Sequence, residues 1–478
     1  MPSRRHDFPV SSPTRNPSIP VASFAHPIAV VGGGITGLTA AYRLTQLGHI
    51  VRLFEASDRL GGCIRSERDG DWLVEAGPNS IQDNSPELTR LIDELKLADR
   101  VLAARPEARN RYLMRDGRLV AAPLSPPGLL RTPLFSFPAK LRLAGDLFFR
   151  PRKRRGDVSV AKFFRAHFGR EAVDHGVAAM VSGIYAGNAN KLSAQHAFPT
   201  LWAMEREHGS LLRGLRAAAR AKRAAGGRAG PPRILSFDDG LEVLPRALAA
   251  ALPEGTVKLG ARVDAVTPGT PCRLAWTHEG RAETGVFGAV VLALPAPALA
   301  RLAIGGPTEH PLARLQAIDY PAVSSLFLGY ERSRVAHALD GFGLLVPPVE
   351  RRGVMGVLFS STLFDRRAPD RHVGLTVMVG GALRPDLGIL KGQPLLDLVK
   401  RELKELLGAT GEPVFVREHN WSEAIPQYNL GYERFLETMD HCERHHANVF
   451  IGGNVRDGVS LTACLAAGER LAAKVERT

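Results

Sequence analysis

Three glycines, Gly32, Gly34 and Gly37, stand in GxGxxG spacing inside IAVVGGGITGLTAAYRL, residues 28 to 44. That spacing suits the binding of a pyrophosphate. The first glycine permits a tight turn, the second lets backbone come close to the phosphates, and the third lets a helix pack tightly on its strand. The N–H groups that open the helix, at Ile35 and Thr36, then face the negative charge. Glu55 follows 18 residues after Gly37, near the end of the apolar run HIVRLFEA. A carboxylate there accepts hydrogen bonds from ribose hydroxyls. This spacing alone leaves FAD and NAD both open.

The flanking residues favour FAD. In EASDRLGGCIRS, Glu55 to Ser66, Arg59 is placed to reach a phosphate. Ala56 lies beside the ribose-binding carboxylate, and Gly61 and Gly62 offer backbone that passes close to the pyrophosphate. At the other end of the chain, NVFIGGNVRDGVSLTACLAAGERLAAKV reads as a strand, a glycine turn at Gly452 and Gly453, a polar loop, and a helix from about Val459. Its N-terminus would stabilise negative charge on a reduced ring. Two distant chain ends meeting on one cofactor is a flavoprotein arrangement.

Composition bounds the alternatives. A chain of 478 residues, 45% of them hydrophobic, can build two or three domains. Cys63, Cys272, Cys442 and Cys464 lack CxxC spacing, which argues for a reducing compartment and against a zinc site or disulfide framework. DHCERHH, residues 440 to 446, reads as a solvated loop, and no metal is expected. No apolar run approaches the roughly 18 residues of a membrane span. Residues 1–27 read as a disordered extension. The net charge of +14 resides in three segments: 1–27, 140–155 (KLRLAGDLFFRPRKRR) and 213–228. No nucleic-acid-binding motif accompanies it. The 140–155 segment interleaves Leu141, Leu143, Leu147, Phe148 and Phe149 with its charges. That composition suits an anionic membrane surface as well as a solvated helix. A GxSxG hydrolase motif is absent.

The elements that position these residues follow from periodicity. The fold class is α/β with an α+β substrate part. A Rossmann-like FAD-binding domain is assembled from residues 28–110, 231–298 and 446–478. A helical insert, 111–230, is the membrane-associated piece, and 299–445 form a mixed-sheet substrate-binding domain. TVKLGARVDAVT and GAVVLALP are both expected to rejoin the nucleotide sheet, and LLVPPVERRGVMGVLFSSTLF to form a strand.

The run from Glu55 through Arg59, Gly61 and Gly62 resembles the extended fingerprint of the flavin amine oxidase superfamily, departing at Cys63, where many members have Arg. Longer stretches are more specific: EAGPNS (75–80), SGIYAGNANKLS (182–193), FPTLWAMEREHGSLLRG (198–214), IPQYNLG (425–431) and GGNVRDGVSL (452–461). Nearly everything after residue 27 resembles the oxygen-dependent protoporphyrinogen/coproporphyrinogen oxidase family. The resemblance implies non-covalent FAD, contacted further by Gly77, Pro78, Asn79 and Val263, and by Gly453, Asn454, Gly458, Val459 and Ser460. It implies a porphyrinogen substrate, with Arg111 on a propionate, Leu345, Leu358 and Met378 against the pyrrole rings, and the Gly183 carbonyl facing the macrocycle nitrogens. No side-chain base is implied, because the flavin N5 takes the hydride and dioxygen reoxidises it, giving hydrogen peroxide. Protoporphyrinogen and coproporphyrinogen both remain open as substrates of a haem-pathway six-electron oxidation, with polyamine or carotenoid oxidation a more distant alternative. A cytoplasmic location, peripheral on the inner face of the cell membrane, and a homodimer or a ferrochelatase partner are further expectations. Tyr432 stands where the family often has His after PQYxxG.

Overall fold

Ile28–Val31 is apolar throughout and all four residues are buried, as befits a strand covered on both faces. It pairs in parallel with Val51–Phe54 on one side and Ala289–Leu292 on the other. Val257–Lys258 and Val449–Ile451 complete a five-stranded parallel sheet. Helices Ile35–Gln46 and Leu461–Glu476 pack together beside it. This computed structural model describes residues 24–123, 125–148, 156–224 and 232–478. Most of the expected N-terminal extension, the Arg150–Arg155 part of the basic segment and the end of the second basic segment lie outside the described residues.

One expected strand divides. TVKLGARVDAVT places only Val257–Lys258 in the nucleotide sheet. Gly260, at φ +62°, turns the chain away, and Ala261–Thr267 enters a separate four-stranded sheet with Cys272–His278, Arg281–Phe287 and Ala303–Ile304. LLVPPVERRGVMGVLFSSTLF likewise is not one strand. Gly341–Leu345 and Gly356–Leu358 are separate strands, and Ser360–Leu363 is a short helix. Pro347 and Pro348 break the ladder between the two strands, since proline has no N–H to donate.

Those two strands lie within a seven-stranded sheet that also contains Asn110–Arg115, Arg118–Ala121, Val323–Glu331, His372–Gly380 and Phe415–Trp421. The Asn110–Arg115 and Arg118–Ala121 strands form a hairpin around Asp116 and Gly117. Side chains alternate across the sheet. Leu326, Leu344, Val357 and Val377 are buried in a core shared with Leu395, Val399 and Leu403 of helix Gly392–Leu407. The other face carries the candidate substrate residues.

The segment expected as a solvated loop at Asp440–His446 is largely helical, within Glu433–His445. Phe435, Met439 and Cys442 recur at helical spacing and are buried, while the intervening charges masked that period. His441 and His445 are exposed and stacked, ring centroids 3.9 Å apart. Among the described residues, no group of three or more ligands could hold a metal. No helix among them is long and apolar enough to cross a membrane.

Candidate functional site

The nucleotide cradle is built at the start of helix Ile35–Gln46. A Cβ at Gly37 would lie 1.9 Å from the Gly32 carbonyl oxygen, so only glycine lets this helix settle on the first strand. Gly34 precedes the helix in extended conformation, and no side chain caps it. Nothing lies within 4 Å of a Cβ built on Gly34. An uncapped helix start beside open space is what a phosphate requires. Glu55 is fixed at the rim: one carboxylate oxygen accepts from the Gly33 N–H at 2.7 Å, the other from the Ser57 N–H at 2.9 Å and its hydroxyl at 2.8 Å.

Gly61 N–H donates to the Gly33 carbonyl at 2.9 Å, which lays the Gly61–Gly62 turn over Gly34. The Arg59 guanidinium donates to the carbonyls of Leu60, Gly62 and Ile64, so here its charge shapes that turn rather than projecting from it. Ala261 N–H donates to the Glu55 carbonyl and Gly260 N–H to that of Ser57. The strand carrying Val263 therefore starts alongside Glu55, Ala56 and Ser57. Asn79 donates to the Gly77 carbonyl at 3.0 Å, and Trp421 Nε1 to that of Ala76 at 2.8 Å. These bonds hold the Gly77–Pro78–Asn79 turn under the seven-stranded sheet.

The C-terminal loop closes the cradle. Thr36 Oγ1 donates to the Cys464 carbonyl at 3.1 Å. Asp457 accepts from the Gly453 N–H at 2.8 Å, and Ser460 caps the last helix through the Ala463 N–H at 3.2 Å. That helix begins at Leu461, two residues later than the sequence suggests. Val263 and Val459, both half-buried, pack on the same apolar cluster. Two tyrosines secure this loop, Tyr428 missed by sequence reasoning and Tyr432 noted there only as a departure from the family pattern. Tyr428 donates its hydroxyl to the Asn454 carbonyl and accepts from the Gly458 N–H. Tyr432 donates to the Val455 carbonyl at 2.6 Å. Burial pushes both phenols well up, so they stay protonated as donors. The Tyr found in place of the family's His is thus a buried tether. Two tyrosines four residues apart, just before a helix, were the available signal.

The substrate candidates converge on the sheet's second face. Backbone pairing aligns Arg111 with Gly343 and Gly343 with Leu358 in one row. Leu345, Gly356 and Met378 align in the next. With alternate residues on one face, Arg111, Leu345, Leu358 and Met378 share a side. The three apolar side chains are only half-buried, unlike their neighbours on the core face. Arg111 is exposed, its guanidinium 5.4 Å from the Phe342 ring centroid. It has no acidic partner among the described residues. Gly183, in helix Ala178–Tyr185, faces Leu345: a Cβ there would come within 2.6 Å of Leu345 Cδ2. Gln427 ties this helix down, donating to the Tyr185 carbonyl at 2.7 Å.

A parallel-sheet dinucleotide cradle joined to a mixed sheet with an apolar open face defines a class of flavin-dependent oxidoreductase. Residues 35–475 match the family of flavin containing amine oxidoreductases, and the chain belongs to it. A flavin is that family's cofactor, and the open Gly34 cradle fits its phosphates. More narrowly, the chain is 32% identical to the mitochondrial protoporphyrinogen oxidase of Nicotiana tabacum, covering 93% of this chain and 94% of that one. It is 33% identical to protoporphyrinogen oxidase of Homo sapiens, over 94% and 98% of the two chains. A crystal structure from Exiguobacterium sp. 255-15, provisionally given the same name, superposes with a TM-score of 0.79 at 23% identity, covering 95% of this chain and all of that one. Cyclohexylamine oxidase from Brevibacterium oxydans gives 0.65 at 18% identity, over 95% and 99%. At such identities the two structures speak for the fold.

Proposed function

We propose that the protein binds FAD non-covalently and carries out the oxygen-dependent, six-electron oxidation of protoporphyrinogen to protoporphyrin in haem synthesis, releasing hydrogen peroxide. The observation that carries this reading is the shared sheet face of Arg111, which has no acidic partner among the described residues, and half-buried Leu345, Leu358 and Met378. A porphyrinogen has an apolar macrocycle and propionates on one side, and this face offers a matching apolar floor with a cation at its end.

When bound, the flavin supplies hydride acceptance at N5 and reoxidation by dioxygen. The chain supplies placement. The start of helix Ile35–Gln46 would hold the pyrophosphate, and Glu55 a ribose. Arg111 would pair a propionate bidentately. Leu345, Leu358 and Met378 would orient the rings and exclude water, and the Gly183 carbonyl would face the macrocycle nitrogens, its missing side chain leaving room for Leu345. Orientation of this kind carries a large share of a barrier.

Aerobic incubation with protoporphyrinogen and coproporphyrinogen, followed by porphyrin fluorescence and peroxide release, tests the reading. Faster protoporphyrin formation is expected. A yellow protein inert to both but releasing peroxide with amines would overturn it.

Membrane attachment is proposed as peripheral. Leu130, Phe137, Leu141 and Phe148 are exposed on the helical insert, Phe148 at 85%, and in sequence they flank Lys140 and precede the basic run 150–155. Binding to anionic vesicles, weakened by salt, is expected. Absence of binding at low salt would remove this part.

A further inference from the structure

Beside the substrate face lies a buried charged pair with no assigned task. Glu75 is 4% exposed and Arg367 2%. Their nearest nitrogen–oxygen distance is 3.8 Å, beyond hydrogen-bond reach. Arg367 Nη2 donates to Ser236 Oγ at 2.8 Å and to the Phe237 carbonyl at 3.2 Å, whereas buried Nη1 has no hydrogen-bond partner among the described residues. Glu75 accepts from Ser66 Oγ at 2.6 Å and from the Leu241 N–H at 2.8 Å. A buried guanidinium nitrogen without a partner is costly, and a bridging water is the ordinary remedy.

The space for one exists. A cavity of about 10 Å³ is lined by Glu75, Arg367, Asn79 and Ser360, with Phe327 and Phe364 as apolar walls. That is about the room one water needs. Ser360 Oγ is 2.7 Å from Thr376 Oγ1. Thr376 pairs with Leu358, so it extends the row that holds Arg111, Gly343 and Leu358. Asn79 belongs to the turn expected to touch the flavin. The cavity therefore adjoins both halves of the site.

We propose that one water in this cavity links Glu75, Arg367 Nη1 and Ser360 into a proton relay, with Glu75 taking up protons released on the substrate face. The inference rests on the porphyrinogen reading for the proton's source. Each oxidation step frees a pyrrole N–H proton, and the apolar floor has no base to receive it. The N–H bond breaks, the Ser360 hydroxyl and the water each gain one proton and pass on another, and an O–H bond forms on Glu75, while Thr376, wholly buried, orients the Ser360 hydroxyl. No electrons move along this path. Burial pushes the Glu75 carboxyl up to about 7, against the pull of the Ser66 hydroxyl, the Arg367 charge and the Leu241 N–H. Glu242 faces Glu75 and adds to the rise, and Arg68, Asp238 and Asp239 face Arg367. A carboxyl poised near neutrality can both accept and release a proton. Glu75 acts through the water and the Ser360 hydroxyl, never on the substrate itself.

Two measurements test this. In infrared difference spectra of the flavin-loaded protein, a protonated-carboxyl band should vanish as pH rises through neutrality, and be missing in Glu75→Gln. A band that persists in Glu75→Gln, or no titrating band in the parent, overturns the proposal. With protoporphyrinogen, parental kcat should rise with pH through neutrality. Both Glu75→Gln and Ser360→Ala should flatten that limb and lower kcat by on the order of tenfold, with KM held. Ser360→Ala keeps the test decisive if Glu75→Gln folds poorly; parental pH profiles in the folded variants overturn the relay. A parent that shows the band but oxidises no porphyrinogen would sink the proposed substrate and leave the water-bridged acid standing.

Discussion

Gly183 lies directly against Leu345, with 2.6 Å between the Cβ that glycine lacks and Leu345 Cδ2. One residue is on a helix of the insert and the other in the seven-stranded sheet, so this contact sets how closely the helix approaches the sheet's apolar face. Gly183→Ala should push Leu345 across the floor, at an overpacking cost of about 1–3 kcal/mol. Porphyrinogen KM should rise while the flavin spectrum is kept, and adding Leu345→Ala should restore part of the loss. Parental kinetics in Gly183→Ala would place the substrate elsewhere.

Gly34→Val separates folding from cofactor binding. The site has open space for a side chain and an extended backbone that any residue adopts. Valine should therefore leave the apoprotein's melting temperature unchanged and block the phosphates. Purified Gly34→Val is expected colourless; a fully yellow variant would defeat the cradle assignment.

Arg111→Ala should keep the fold and the flavin, since the side chain is exposed and makes no ion pair among the described residues. Loss of a charge-assisted pair worth about 1.5–3 kcal/mol corresponds to a KM raised roughly ten- to a hundred-fold. Lys should recover only part, having charge without the planar fork. Steady-state kinetics of the three proteins decide this.

The helical insert carries its own pH dependence. His167 Nδ1 is 2.5 Å from Asp146 and Nε2 is 2.9 Å from Glu205, all three essentially buried. Burial opposes the charged imidazole, but the hydrogen bonds to Asp146 and Glu205 outweigh it and hold its pKa above the ordinary value. The folded state thus binds the proton more tightly than the unfolded chain. The stabilisation is complete below the ordinary histidine range and is lost as pH rises through the raised folded value. Asp146 is shifted the other way: burial is outweighed by His167, the Leu212 N–H and Ser210. Its contribution disappears in acid. Melting temperature against pH should show both limbs, and His167→Gln should abolish the alkaline one.

The nucleotide cradle was legible because its chemistry is local. GxGxxG, a strand and a following acid are specified within about thirty residues. The substrate face was not legible from pattern, since Arg111, Leu345, Leu358 and Met378 come from four strands whose register no local rule fixes. Family resemblance named them, and pairing brought them onto one side. The tethering roles of Tyr428 and Tyr432 were not legible because their partners are backbone groups more than twenty residues away. Ala261–Thr267 was misassigned because a strand's apolar period does not say which sheet it joins. Helix Glu433–His445 was hidden by charges between its three buried residues.

The parallel sheet draws its strands from residues near 28, 51, 257, 289 and 449, and Thr36 meets Cys464 across 428 residues of chain. Contacts of such separation form late, because the entropy of closing long loops must be met first. On the ribosome the glycine turn emerges well before its closing loop and the tyrosines that tether it, which lie about four hundred residues later in the chain. The cradle is therefore completed only when that later segment has emerged and docked. Cofactor capture is coupled to that final docking step, so flavin supply acts on the yield of native protein as well as on its activity.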